Sequence, residues 1–305
     1  MLGQAALRGV PVFAPPPAGG TTYLFQSGAV QAAASFSRAS TATLKAANGT
    51  FSSFSVDAPR IDNSDHILIM PAATEHQAYS TDPTQYSSQQ SGVVTSEGST
   101  GVLIPGSGAS ARVASSGSAT SGAKLSDKSG IQADEVWIQT VFYEAGTSGE
   151  LRYHASSFAV LGDIGSSLGF SNWGGTFSVS FTDEIWSGAI RRLDIQATAL
   201  TNTSLSAFLG PNSTTAGEDI IIHGASLRRQ QANMDLEWIE TAGSAVTRAA
   251  DVLTHTPPAA QDIKLIGTAA DGTVYTAGAP LIYANQTTEW TCPAGRWSEI
   301  WAEDA

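Results

Sequence analysis

The chain has little cysteine, little charge and no long apolar run. Its single cysteine, Cys292, cannot form an internal disulfide, so packing must hold the fold, and we expect Cys292 to be a small buried hydrophobe. No segment approaches the ~20 apolar residues of a membrane span. Residues 1–17 lack the continuous apolar core of a signal peptide. The sequence therefore predicts synthesis in a cytoplasm and no membrane insertion.

Charged residues make up only 14% of the 305 residues, and the formal net charge is -12. Nucleic-acid binding needs clustered Lys and Arg to displace counterions. The only dense basic groups are Arg191-Arg192 and Arg228-Arg229, which are typical of local salt bridges. We predict no nucleic-acid partner.

Metal-ligating residues are scattered as well. The histidines are His66, His76, His154, His223 and His255. They lack the close spacing of a zinc site, so we predict no resident metal and no cofactor. A calcium ion held by loop carboxylates stays open, although no Asp-rich loop of the usual density occurs.

Short β-type segments separated by turns dominate what is present. Apolar residues alternate in Thr176–Phe181 and in part of Ala189–Gln196, as in half-buried strands, and Val136–Tyr143 is a third strand candidate. Asn48-Gly49 and Asp271-Gly272 predict hairpin turns. With almost no helical periodicity, this pattern predicts an all-β protein whose centre is a jelly roll or β-sandwich.

Composition also suggests four segments. Residues 1–20 contain Pro15-Pro16-Pro17 and predict an extended anchoring arm. Residues 21–62 predict a small N-terminal β module, residues 63–252 the sandwich, and residues 253–305 a small C-terminal β element after Pro257-Pro258. Within the sandwich segment, residues 79–128 are rich in Ser, Gly, Thr and Ala and predict either flexible linker or shallow strands, with a short strand at Gly101–Ile104.

Two patterns raise the question of catalysis. Gly165-Ser166-Ser167-Leu168-Gly169 matches G-x-S-x-G, but the α/β context that presents a serine nucleophile is missing. Glycoside cleavage needs two facing carboxylates, for which Asp183-Glu184, or Glu144 with Glu150, are candidates. The G-x-S-x-G match is explained as well by chance, and the carboxylates as well by ordinary solvated loop residues. We therefore predict a protein that is not an enzyme.

The central domain also carries aromatic and polar residues in or beside its turns. Sugars stack their C–H faces on aromatic rings, and their hydroxyls need Asn, Asp or Arg partners. These residue types predict glycan contacts, although a Trp in a sandwich is more often core. The candidates are Tyr153, Asp163, Asn172, Trp173, Asp183 and Trp186.

Three segments resemble a recurring pattern in spike and tail-fibre proteins of tailed phages and gene-transfer agents. The first is Phe36-Ser37-Arg38-Ala39-Ser40-Thr41-Ala42-Thr43, continued by Ala47-Asn48-Gly49 and Ala58-Pro59-Arg60-Ile61-Asp62. The second is Ile67-Leu68-Ile69-Met70-Pro71-Ala72-Ala73-Thr74, then Tyr79-Ser80-Thr81-Asp82, where Met70 and Ala73 replace the group's acidic and arginine residues. The third is His223-Gly224-Ala225-Ser226-Leu227, then residues 241–251, Thr-Ala-Gly-Ser-Ala-Val-Thr-Arg-Ala-Ala-Asp.

The resemblance implies a virion structural protein with a concanavalin-like jelly roll, exposed on the particle surface and contacting a host-surface glycan. It implies that the arm binds other virion proteins and that the chain forms a homo-oligomer, with a trimer favoured. Two alternatives stay open. One is a purely architectural base or connector, and the other is a depolymerase of capsule polysaccharide.

Overall fold

The computed structural model describes residues 21–46, 49–98, 109–231 and 234–305, and nearly all of the regular secondary structure there is β-strand. In chain order the strands are β1 (Thr22–Gln26), β2 (Ala29–Val30), β3 (Ser35–Ser37), β4 (Ala42–Lys45), β5 (Phe51–Phe54), β6 (Arg60–Ile61), β7 (Ile67–Ile69), β8 (Ala73–Glu75), β9 (Ser88–Gln89), β10 (Val93–Gly98), β11 (Ser110–Ala114), β12 (Gly122–Ile131), β13 (Val136–Ala145) and β14 (Glu150–Ala155). They continue with β15 (Phe158–Asp163), β16 (Ser167–Asn172), β17 (Phe177–Ser187), β18 (Ile190–Ala199), β19 (Thr203–Pro211), β20 (Asp219–Arg229), β21 (Val246–Arg248), β22 (Val252–His255), β23 (Gln261–Ala269), β24 (Val274–Tyr275), β25 (Leu281–Gln286), β26 (Trp290–Thr291) and β27 (Gly295–Asp304). Two short 3-10 helices cover Pro83–Gln85 and Met234–Leu236.

The centre of the molecule is a sandwich of two six-stranded antiparallel sheets. Sheet I has the order β10-β11-β20-β13-β18-β17, and sheet II has the order β16-β15-β14-β19-β12-β9. Their inner faces share one apolar core, to which Val141 and Leu193 contribute from sheet I and Tyr153 and Leu209 from sheet II. The predicted all-β fold with a central sandwich is confirmed.

Alternation along the strands explains this packing. In β18, Leu193, Ile195 and Ala197 are buried while the residues between them are only half-buried, because successive side chains point to opposite faces. The predicted strands at 136–143, 176–181 and 189–196 are present as β13, β17 and β18. The Ser/Thr-rich stretch forms β9 to β12 rather than a linker within the described residues.

A third sheet joins the two ends of the chain. β1 pairs with β27, which also pairs with β7 and β23, so strands from both terminal segments belong to one eight-stranded sheet, here called the terminal sheet. The separate N-terminal and C-terminal pieces expected from composition are thus joined. The expected boundary at residue 62 falls inside the β6–β7 pair, since strand pairing between distant segments leaves no trace in local composition.

A buried ion network lies between the terminal sheet and the sandwich. Its members are Arg38, Arg60, Glu75, Arg228, Glu237, Arg248 and Asp251. Arg60 contacts both Glu237, at 2.8 Å, and Asp251. Four of these charges, Arg38, Arg60, Arg248 and Asp251, come from the segments that carry the sequence resemblance. The charged residues of those segments therefore contact one another or shared partners in the folded chain, where they hold the fold together.

Four further expectations from the sequence concern the arm, a short strand, the cysteine and membrane insertion. The arm at residues 1–20 and the strand at Gly101–Ile104 lie outside the described residues. Cys292 is buried, as predicted, and burial raises the pKa of its thiol. In the described part of the chain, no helix has the length and apolar character needed to cross a membrane.

Candidate functional site

The outer face of sheet II carries aromatic, cationic and acidic side chains close to one another, and it is the candidate binding surface. Along β14, Leu151, Tyr153 and Ala155 face the core, so Glu150, Arg152 and His154 point outward. The register with β15, β16 and β19 extends these three positions into three rows across the sheet. Successive rows are two residues apart along each strand, roughly 7 Å. We call this surface the β14 face.

The first row is aromatic. The His154 ring stacks on Phe208 of β19, with 4.6 Å between centroids, and on Trp173, at 4.9 Å, with interplanar angles below 30°. Phe208 is buried, whereas Trp173 is 53% exposed. Burial and the charge of Arg152 lower the pKa of His154, which favours a neutral ring at pH 7. The three rings therefore form a stack with His154 in the middle, and Trp173 is its solvent-exposed member.

The turn after β16 fixes the position of Trp173. Its backbone N–H donates to the Ser157 carbonyl at 3.0 Å, and the Asn172 carboxamide oxygen accepts from the N–H groups of Gly174 and Gly175, at 3.2 Å each. A side chain at Gly174 would meet Ser157 Cβ at 2.2 Å, so only glycine fits there. The predicted Asn172 thus holds the turn, and its neighbour Trp173 presents the ring.

The second row is cationic and apolar. Arg152 lies opposite Leu161 of β15, and Gly169 of β16 follows beyond Leu161. Arg152 Nε is buried without a hydrogen-bond partner, and Arg152 makes no ion pair with the described residues. Burial lowers the pKa of its guanidinium. Gly169 adds no side chain, which leaves this row lower than the ring row beside it.

The third row is acidic and polar. Glu150 and Asp163 lie directly opposite each other in the β14–β15 register, and Ser167 follows on β16. Asn212 Nδ2 donates to Glu150 Oε2 at 2.6 Å, while Asp163 is exposed. The β14 face therefore combines the exposed Trp173 ring of an aromatic stack with hydrogen-bonding groups that suit sugar hydroxyls.

Sheet I and the core hold the other three predicted residues. The prediction that Tyr153 contacts a glycan is wrong, because its side chain faces inward and is fully buried. Burial also raises the pKa of its hydroxyl. Asp183 forms an ion pair with Arg191 at 2.9 Å and accepts a hydrogen bond from Tyr143 at 3.0 Å. Trp186 packs on the sheet I side and belongs to an aromatic cluster with Phe51, Phe142 and Trp238. Asn172 and Trp173 are adjacent at one end of the β15–β16 pair, whereas Asp163 lies at its other end, opposite Ser167. Of the six predicted residues, the structure therefore brings only Asn172 and Trp173 together.

A second concave feature lies on the outer face of sheet I. It is a groove of about 340 Å³ with Ile138 and polar side chains such as Ser180, Gln196 and Gln230 along it. Asp194 is held there by Thr140 Oγ1 at 2.5 Å and by Arg192 at 2.7 Å. The groove has hydrogen-bonding groups, but its aromatic neighbour Trp186 is occupied by packing with Phe51 and Phe142.

The catalytic and metal patterns find little geometric counterpart. Ser167 begins strand β16 rather than a helix, so the G-x-S-x-G match lacks the strand-turn-helix geometry of a nucleophile. Asp183 and Glu184 are adjacent in β17 and point to opposite faces. Glu144 and Glu150 belong to different sheets. Over the described ranges, no group of three or more His, Cys, Asp and Glu side chains is arranged to hold a metal ion.

Comparison with known proteins adds little to this geometry. No protein-family model matches the chain, and no curated protein matches it. Among solved structures it is similar to the CBM22-1–GH10 modules of the N-terminal endo-1,4-β-D-xylanase 10B of Clostridium thermocellum, complexed with xylohexaose, at 15% identity and a TM-score of 0.35. The match covers 53% of this chain and 29% of that one. A likeness this weak says nothing about ligand or activity, and the two sheets alone define the molecule as an all-β sandwich protein.

Sequence reasoning missed three residues of the β14 face, namely Arg152, His154 and Phe208. The alternation in Glu150–Ala155 does place Glu150, Arg152 and His154 on one side of a strand. It does not reveal which side is open to solvent. That depends on the sheet packed against the other side.

Proposed function

We propose that this chain is a surface subunit of a tailed phage or phage-like particle that attaches to host-surface polysaccharide through the β14 face, without catalysis. The observation that carries the proposal is the ring row, in which the half-exposed Trp173 ring extends the stack of His154 and Phe208. Aromatic rings fixed in this way offer a sugar a preorganised apolar face at little entropic cost.

The remainder of the proposal rests on the sequence. The arm at residues 1–20 would bind other virion proteins, and the chain would assemble as a homo-oligomer, with a trimer favoured. Several copies would present several β14 faces to one polymer, so weak contacts would add through avidity. The proposed location is the particle surface.

One observation favours a second function, cleavage of the polysaccharide. Glu150 and Asp163 face each other across β14 and β15, separated from the ring row by the row of Arg152, and directly opposed residues have Cβ atoms about 5 Å apart. Retaining glycosidases place their two carboxyl groups at about that separation. Against this, Asn212 already engages the Glu150 carboxylate.

The test is binding of the purified chain to a panel of bacterial capsular polysaccharides and lipopolysaccharides, with release of reducing ends followed in the same samples. Saturable binding without release supports attachment. Steady release that Glu150→Gln or Asp163→Asn abolishes would establish cleavage instead. Binding to none of the panel, by a chain that assembles with its particle, would favour a purely architectural subunit.

A further inference from the structure

The state of Arg152 indicates which sugars the β14 face would take. Every other arginine in the described part of the chain forms an ion pair: Arg38, Arg60, Arg112, Arg191, Arg192, Arg228, Arg229, Arg248 and Arg296. Arg152 has no such partner among these residues, and its Nε is buried without a hydrogen bond. A half-buried guanidinium left without an anion costs free energy that an anionic ligand would recover.

The neighbours of Arg152 set the side from which an anion could approach. Glu150 lies two residues before Arg152 on the same face, and Asp163 lies opposite Glu150. These carboxylates repel an anion from the third row. On the other side of Arg152 stand His154 and the ring row. A ligand carboxylate would therefore reach the guanidinium from the ring side, with the sugar ring on Trp173.

We propose that the β14 face selects acidic polysaccharides, with the carboxylate of a uronic-acid residue bound by Arg152 while a sugar ring in the same chain stacks on Trp173. This inference rests on the proposed glycan-binding function and narrows its ligand class. A neutral glycan could use the rings and hydroxyl partners but would leave Arg152 unpaired. A cationic amino-sugar polymer would be repelled by Arg152.

The probes are oligomers of polygalacturonate, alginate and hyaluronate, each compared with its carboxyl-reduced form of the same length and with chitosan oligomers. Titration calorimetry of the full chain is expected to give at least about tenfold tighter binding for one or more acidic oligomers than for the reduced form, because hydrogen bonds to charged groups contribute that much. Arg152→Met should remove this difference, and Arg152→Lys should retain part of it. Arg229→Met is the matched control, since Arg229 is an exposed arginine paired with Glu135, and it should change nothing.

Two results would overturn the inference. One is that none of the three acidic oligomers binds more tightly than its reduced form, and the other is that the preference survives in Arg152→Met. If the reduced forms still bind and Trp173→Ala abolishes that binding, glycan attachment stands and only the acidic selectivity fails. If no oligomer of either kind binds, and the wider polysaccharide panel is also negative, both proposals fail. Thermal unfolding of each variant shows that it is folded before it is compared.

Discussion

Arg38 and Asp251, separated by 213 positions in the sequence, form a fully buried ion pair in which Arg38 Nη1 donates to Asp251 Oδ1 at 2.9 Å. Asp251 also pairs with Arg60 and accepts from the Met70 N–H at 3.0 Å. One carboxylate thus links segments from the start of the chain to the end of the sandwich domain. Buried charges are costly unless they are paired and hydrogen-bonded, so the parts of this joint depend on one another.

Asp251→Asn should therefore lower the free energy of unfolding by about 3–5 kcal/mol, because it leaves Arg38 and Arg60 without their shared anion. Urea unfolding followed by tryptophan fluorescence measures the change. Asp134→Asn is the control, since Asp134 is exposed with a positive φ that asparagine adopts readily. A loss below about 1 kcal/mol for Asp251→Asn would mean that the network does not stabilise the joint.

Stability should also fall in mild acid because of His223. Burial lowers the pKa of this ring to about 4, and its Nδ1 lies 2.9 Å from the Ser110 hydroxyl. The unfolded chain, with a histidine pKa near 6.5, binds the proton more readily. This contribution to stability is therefore complete above pH 6.5 and is lost as the pH falls toward 4, by roughly 3 kcal/mol.

The measurement is the unfolding free energy at several values between pH 7 and pH 4, for the wild type and for His223→Asn. The two curves should converge as the pH falls, because asparagine has no proton to gain. His66→Asn, at a half-exposed position, serves as the comparison. Parallel curves for wild type and His223→Asn would contradict the assignment.

Trp186 should matter for folding rather than for glycan. Its ring lies 4.9 Å from Phe142 and 6.1 Å from Phe51, and Lys45 Nζ sits 3.9 Å from the ring centroid. Trp186→Ala should cost about 3 kcal/mol or more and loosen the β4–β5 hairpin from sheet I. Limited proteolysis within that hairpin would detect the loosening. Unchanged stability together with weakened glycan binding would instead show that Trp186 contacts the ligand.

The proposed assembly has a direct check. The purified chain of 31.5 kDa should elute with a light-scattering mass of three chains at micromolar concentration. Removal of residues 1–20 should leave the number of chains in the oligomer unchanged, because in the proposal the arm binds other virion proteins. A monodisperse monomer of the intact chain would count against the homo-oligomer.

The sequence predicted the sandwich because strand alternation and turn signals are local. β13, β17 and β18 fall where the patterns place them, and β4 and β5, which flank the predicted Asn48-Gly49 turn in the sequence, pair with each other, although Asn48 itself lies outside the described residues. It could not predict that β1 would pair with β27, since their contact joins distant segments. The terminal sheet therefore could not be predicted from the sequence.

The candidate site could be predicted only in part, because local patterns reveal turns but not which side of a strand faces solvent. Asn172 and Trp173 were recognisable as turn residues, because Gly174-Gly175 follows them. The aromatic ring of Tyr153 makes it a candidate in the sequence, but this ring faces the core, whereas the neighbours Arg152 and His154 occupy the outward side of β14. The residue type of Tyr153 suggests glycan binding, but only the three-dimensional structure shows that its ring lies in the core.

The central claim is that the exposed ring of Trp173 binds glycan, and the most direct test is the dissociation constant of Trp173→Ala for whichever polysaccharide the wild-type chain binds. Trp301→Ala is the matched control, because Trp301 is a partly exposed tryptophan of the terminal sheet whose Nε1 donates to Glu303 at 2.8 Å. We predict at least about tenfold weaker binding for Trp173→Ala, as for an aromatic anchor at the centre of a binding surface, and no change for Trp301→Ala. Equal affinity of the wild type and a correctly folded Trp173→Ala would contradict the account.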